Sequence, residues 1–361
     1  MTLDYSTKAL FTGSEWLNDV VIHLENDVVV GIDQKGFDAN HASPFIIPAL
    51  IDLQLYGAGG KLLSEFPEKE TIDKIYQYCI EGGAGFFQPT IASQSIDVIY
   101  ASIDAVKAYK ASGGKGCIGL HIEGPWINVG KKGAHDESVI HVPDMKAVES
   151  ILAYGKDAIS MITLAPEICT LAIIKAIQDA GIVVSAGHTN ASYENAMQFF
   201  NDGIPVATHL FNAMSSFQHR APGVVGALFN HPTAMSSIVA DGYHVDFAAI
   251  RVAKKIMGDR LFCITDAVTS TNTGLYQHTL VGDKYESAGT LSGSALTQLK
   301  SIQNLVEHVG VPLDEAIKMC SVYPAKVMQN KNITGSIEVN KKANLLCLSA
   351  ELAILNKVIN H

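Results

Sequence analysis

The chain has 361 residues, 48% of them hydrophobic and 17% charged, with 30 glycines and a formal net charge of −10. That length buries a large core and leaves room for more than one folding unit, and the apolar content excludes a disordered chain. The acidic balance excludes nucleic acid as a partner and requires any anionic ligand to be held by local groups against the global field.

The N-terminal MTLDYSTKALFTG has no basic-then-apolar signal, and no apolar run reaches the ~18–20 residues of a membrane span. The six cysteines, Cys79, Cys117, Cys169, Cys263, Cys320 and Cys347, are scattered with no CxxC pair, mostly in apolar runs. Such usage suits reduced core thiols. The expectation is a cytoplasmic protein with no membrane partner. Residues 1 to about 47 alternate apolar and polar in short pieces such as VVIHLE and DVVVGID, which read as strands joined by turns. The C-terminal GSIEVNKKANLLCLSA has the same texture, with strand-like SIEV and NLLCLS. The two ends, 1–47 and 335–361, are read as one small β-sandwich domain.

From residue 48 to 334 the pattern becomes short apolar strands separated by amphipathic helices. Eight strands are expected: FIIPALIDLQ, GFFQPTIAS, GCIGLHIEG, AISMITLAP, GIVVSAGHT, PVATHLFN, MSSIVADG and LFCITDA. Helical patterns such as IDKIYQYCIEGG, IDVIYASIDAVKAYKAS and LAIIKAIQDAG fall between them, the last stopping at Gly181. Eight β-then-α units favour a closed (β/α)8 barrel. A doubly wound sheet would show a Gly-rich phosphate turn after its first strand, whereas the cluster Gly113-Gly114-Lys115-Gly116 precedes a strand and reads as a plain turn.

Each barrel strand delivers its polar residues at its carboxyl end, where barrel enzymes carry their chemistry. Gln54 closes the first strand, Glu123 the third, His188 the fifth, His209 the sixth and Asp266 the eighth. One carboxylate and two neutral imidazoles form a three-ligand set for a catalytic Zn2+ that keeps one position open for water. Asp266 beside that water is the proton acceptor. One divalent ion is expected, Zn2+ by ligand type, although Fe2+, Mn2+ or Co2+ suit similar donors. Asn212, Arg220 and His244 are read as holders of an anionic substrate. A lone His or Glu at a strand end is more often a hydrogen-bonded loop residue; five at the same end of five strands reverse that reading. Asp241 and Asp246 are read as caps, His121 as a hydrogen-bonded interior residue, and His219 as a loop residue. His23, His41, His231, His278, His308 and His361 are read as structural or solvated.

The segments HIEGPWINVGKKGAH, SAGHTNA, THLFNAM, HRAPGVVGAL, ADGYHVD and ITDA resemble the N-acetylglucosamine-6-phosphate deacetylases of the amidohydrolase superfamily, from roughly Ile46 to Gln329. The resemblance implies hydrolysis of the acetamide of a 6-phosphorylated amino sugar, giving acetate and the free amine. It implies that Glu123, His188 and His209 are metal ligands and Asp266 the general acid/base. His135 matches a histidine near the sugar and the reacting carbonyl, His244 a residue reaching the sugar phosphate, and Asn212 with Ala213 a phosphate cradle. Arg220 matches an arginine that reaches a neighbouring subunit's active site, which implies a homodimer. The first strand departs from the superfamily's His-x-His, reading Gln54-Leu55-Tyr56; members with Gln there resemble single-metal enzymes, with the Gln near a metal-bound water. Two rivals are carried forward: the same machinery acting on N-acetylgalactosamine 6-phosphate or another acyl amide, and a non-catalytic sugar-phosphate-binding barrel.

Overall fold

The computed structural model describes residues 2–330 and 333–360; His361 lies outside them. Eight parallel strands, Leu50–Leu55, Ala84–Ile91, Leu120–Glu123, Ile159–Leu164, Val183–Ala186, Val206–Ala207, Met235–Val239 and Leu261–Ile264, hydrogen-bond in chain order. The circle closes where Leu55 bridges Ala267 and the Asp266 amide donates to the Gln54 carbonyl at 3.0 Å. A doubly wound sheet would break chain order near its middle, so this is the (β/α) barrel expected. Its strands are buried on both faces; the first, LIDLQL, is buried at every position. That is why they read as continuous apolar runs rather than as alternation.

The helices cover the barrel for local reasons. In Leu171–Asp179 the Thr170 side chain accepts from the Ile173 amide, and Ile173, Ile174 and Ile177 form the buried face. Gly181, at φ +77°, turns the chain back into the fifth strand. Ser95, Asp144, Ser192 and Thr297 cap their helices in the same way. Among the described residues no helix is long and apolar enough to cross a membrane.

The two termini build one six-stranded sheet from Thr2–Phe11, Trp16–Glu25, Val28–Asp33, Ser43–Pro48, Asn344–Leu348 and Ile354–Ile359. The period-two alternation sorts neighbouring side chains into different cores. Leu10, Ile46, Leu345 and Cys347 join Val20, Ile22 and Leu24 in a small core of the sheet's own. Phe11, Ile47, Leu346 and Leu348, each the immediate neighbour of one of those, pack into the barrel's core. One expectation fails: SIEV is not a strand. Gly335 (φ +66°) and Asn340 (φ +69°) turn the chain on either side of it, leaving too few residues for a ladder. Ile354–Ile359 takes the sheet's edge instead.

A further sheet, unmarked by the sequence pattern, follows the eighth strand. Thr279–Val281, Lys284–Ser287 and Thr290–Ser294 form a three-stranded antiparallel flap. Its last residue is tied to the barrel rim, the Ser294 amide donating to the Asp266 carbonyl at 3.0 Å.

Candidate active site

The carboxyl ends of the barrel strands converge on one cavity lined by Glu123, His135, His188, His209, Asn212, Ala213, His244 and Asp266, with Tyr56, Tyr276, His278 and Ser292. Gln54 lies buried in its floor. Four of these residues sit where ordinary side chains rarely sit: His188 at φ +47°, His209 at +40°, Ala213 at +49° and Asp266 at +56°. Such left-handed positions cost about 1–3 kcal/mol each and persist only where the surroundings over-determine them. At His188, His209 and Asp266 the chain leaves the strand in a sharp turn that swings the side chain into the barrel mouth.

The ligand geometry fits an ion. His209 Nε2 lies 3.1 Å from His188 Nε2 and 3.2 Å from Glu123 Oε1, and His188 Nε2 lies 3.5 Å from the same oxygen. Bonds of the usual length in tetrahedral array place ligand atoms about 3.3–3.5 Å apart. His188 donates its Nδ1 proton to the Lys131 carbonyl at 2.8 Å, so its Nε2 presents a lone pair. His209 Nδ1 is buried without a hydrogen-bond partner, which leaves Nε2 as that ring's one engaged nitrogen. His135 can be grouped with Glu123 and His188 as an alternative triad, but its tautomer argues against it. Its Nδ1 accepts from the Ser93 amide at 3.2 Å, so the proton is on Nε2, which donates to Glu123 Oε2 at 3.3 Å. His135 is a donor, and Glu123, His188 and His209 are the set that can hold a metal.

Burial would raise the Glu123 carboxyl, but the hydrogen bond from His135 and the neighbouring His188 and His209 hold it well below the usual range. Burial raises Asp266 instead, with Glu123's charge adding to the effect and His244 and His209 opposing it. The two carboxylates are thus pushed apart in acidity, one fixed as an anion and one suited to exchange a proton. His244 is held between acids: its Nδ1 donates to Asp241 Oδ2 at 2.6 Å, and its Nε2 faces Asp266 Oδ2 at 3.5 Å. Asp241 therefore does more than the capping expected of it, although it also accepts from the Tyr243 and His244 amides. Asp246 caps the following helix through the Ala248 amide.

Arg220 stands apart. It is exposed and lines a separate groove with Asn190, Glu194 and Gln218. Among the described residues lining the main cavity there is no Lys or Arg. His121 is interior, as expected. Its Nδ1 donates to the Leu53 carbonyl and its Nε2 accepts from Thr163, at the end of a hydroxyl chain through Thr208 and Ser185. Burial pulls its pKa down to about 4.

Two residues escaped the sequence reading. Glu167, just past the fourth strand, accepts from Thr189 Oγ1 (2.6 Å), the Asn190 amide (2.7 Å) and Asn128 Nδ2 (3.0 Å). It pins the loop that carries His188. The signal was present, since TLAPE ends a strand in the same sense as the others. His278, read as structural, lines the cavity from the flap with Nδ1 2.8 Å from Ser292 Oγ. Nothing in the local sequence marks that approach, because the flap brings it.

A family model for the amidohydrolases matches residues 45–360. The chain belongs to the amidohydrolase family. It is 34% identical to the N-acetylglucosamine-6-phosphate deacetylase of Haemophilus influenzae, covering 97% of this chain and 96% of that protein. It is 27% identical to the N-acetylgalactosamine-6-phosphate deacetylase of Escherichia coli O157:H7, over 98% of this chain and 97% of that one. The crystal structure of N-acetylglucosamine-6-phosphate deacetylase from Pasteurella multocida superimposes with a TM-score of 0.93 at 31% identity, covering 99% of this chain and 98% of that one. The chain is thus an enzyme of a hydrolase family whose similar members act on acetamides of amino-sugar phosphates.

Proposed function

We propose that this enzyme hydrolyses the acetamide of N-acetylglucosamine 6-phosphate to glucosamine 6-phosphate and acetate, in the cytoplasm. The observation that carries the reading is the meeting of Glu123, His188 and His209 within 3.1–3.5 Å of one another in a cavity that also holds Asp266. The names of the relatives supply the substrate class. Six free thiols suit a reducing compartment.

Glu123, His188 and His209 would hold one divalent ion, Zn2+ by donor type. Such an ion lowers the pKa of water to about 7 and polarises a carbonyl oxygen. Asp266 accepts the proton of the attacking water as the new carbon–oxygen bond forms. It then returns that proton to the amide nitrogen as the carbon–nitrogen bond breaks, so acetic acid and the neutral amine form, and the acid's proton passes to the amine to give acetate and the ammonium form. His135, lining the cavity, shifts its Nε2–H from Glu123 Oε2 to the oxyanion of the tetrahedral intermediate as that charge develops, a role worth about 3–4 kcal/mol for one donor elsewhere. His244, Asn212 and Ala213 bind the phosphate, which anchors the acetamide at a distance from the reacting bond. The cavity's lack of its own Lys or Arg supports a homodimer in which Arg220 completes the phosphate site of the neighbouring subunit. Mixing Arg220→Ala with Asp266→Asn chains should then restore roughly one working site per hybrid dimer, and no restoration would place Arg220 in the site of its own chain.

A second reading, the 4-epimer N-acetylgalactosamine 6-phosphate, is favoured by the E. coli O157:H7 relative. Acetate release from the two epimers side by side, before and after a chelator, tests both. Faster turnover of the glucose epimer that the chelator abolishes is expected, and turnover of neither sinks the proposal.

A further inference from the structure

The first strand ends in Gln54-Leu55-Tyr56, and the reaction above uses neither polar head. Both are committed to the two carboxylates. Gln54 Nε2 lies 3.0 Å from Glu123 Oε1, 2.9 Å from Asp266 Oδ1 and 2.7 Å from the Tyr56 hydroxyl. With carboxylates on two sides, the amide must present its nitrogen. The Tyr56 hydroxyl donates to Glu123 Oε2 and lies 3.3 Å from Asp266 Oδ1.

The oxygens of Glu123 are thereby divided. Oε1 faces His188 and His209 and accepts from Gln54, while Oε2 is occupied by the donors Tyr56 and His135. Two imidazoles at positions 54 and 56 could turn lone pairs toward a cation beside Glu123 and Asp266. An amide nitrogen and a phenol turn hydrogens there instead, and those hydrogens satisfy the carboxylates that a second cation would need. The backbone holds the arrangement still, because the Tyr56 amide donates to the Ala267 carbonyl at 2.8 Å and its carbonyl accepts from Leu63 at 2.9 Å.

We infer that Tyr56 is a positioning residue that holds Glu123 Oε2 and so turns Oε1 toward the ion; the inference rests on the metal-dependent reading above. Partners of ligating side chains typically govern affinity 10–100-fold. Zn2+ binding should therefore weaken by about 10–100-fold in Tyr56→Phe, measured by competition with a chromophoric chelator on protein whose ion-free unfolding remains cooperative. Unchanged affinity in Tyr56→Phe overturns the role of Tyr56 and leaves the deacetylase reading standing. A wild type that holds no Zn2+ and releases no acetate overturns both.

Discussion

The barrel's rim and the terminal sheet are both built on β-strands, yet they spend their polar residues oppositely. In the sheet, alternation sends one side chain to a private core and the next to the barrel, and the charged heads go to solvent. At the rim, carboxylates and imidazoles are buried together on left-handed turns. The sheet is arranged for stability, and the rim keeps buried charge and left-handed backbone together. Substitutions in the two regions should therefore separate activity from stability.

The largest separation is expected at Asp266. Asp266→Asn removes the proton acceptor but keeps the shape, so kcat should fall by about 10²–10⁴-fold, the usual worth of a general acid–base group. Bound metal, by elemental analysis, should match the wild type, and the melting temperature should hold or rise because one of two crowded carboxylates is gone. Full activity in this variant would break the assignment.

The converse case is Ile22, fully buried in the sheet's own core. Ile22→Ala should cost about 2–5 kcal/mol in denaturant unfolding. At temperatures where the variant is folded, kcat/KM should be that of the wild type, since no rim residue touches this core. A large loss of turnover without loss of stability would mean that the sheet contributes to the site.

Between the two regions lies a buried polar layer. Asp52 accepts from the Thr265 hydroxyl and amide, and burial raises it to about 6. The folded chain thus keeps a proton that the unfolded chain loses above pH 4, so Asp52's contribution to stability is present at pH 4 and lost as pH rises through 6. Asp52→Asn should gain relative to wild type by about 3 kcal/mol between pH 4 and pH 7. His121, drawn down to about 4, has the opposite sign: its neutral form favours folding above pH 6.5, and that advantage goes as pH falls to 4. A pH-independent difference between Asp52→Asn and wild type would place the proton elsewhere.

Much of this was legible before the coordinates, and the reason is local. Strand positions follow from apolar runs bounded by Gly and polar residues, and the rim follows because barrel topology converts every strand end into one place. Gln54, Glu123, His188, His209 and Asp266 could be gathered on that rule alone. What escaped depends on contacts between distant segments. The flap carrying His278 is a short sheet whose exposed residues Thr279, Leu280 and Val281 have no burial pattern to announce them. SIEV has the composition of a strand, but turns at both ends deny it a partner. Arg220 was readable as a residue but not as an outlier, because only the fold shows it lining a groove separate from the cavity.

Glu167 gives the smallest effect and the finest test of the rim's design. It touches no ligand atom. Its carboxylate gathers Thr189, Asn190 and Asn128, and the Asn128 amide in turn donates to the His188 carbonyl at 3.0 Å. Those bonds fasten the chain at and just after His188, whose φ is +47°. If the strain at His188 is paid for locally, Glu167→Ala should let that turn relax and weaken Zn2+ binding by about tenfold, the low end for an indirect partner of a ligand. Glu167→Gln keeps one acceptor oxygen and should lose only part of that. Global unfolding should shift by no more than about 1–2 kcal/mol, because the loop lies outside the core. Equal Zn2+ affinity in Glu167→Ala and wild type would show that the strand end itself fixes the histidine, and the contrast between a strained rim and a relaxed sheet would then owe nothing to this carboxylate.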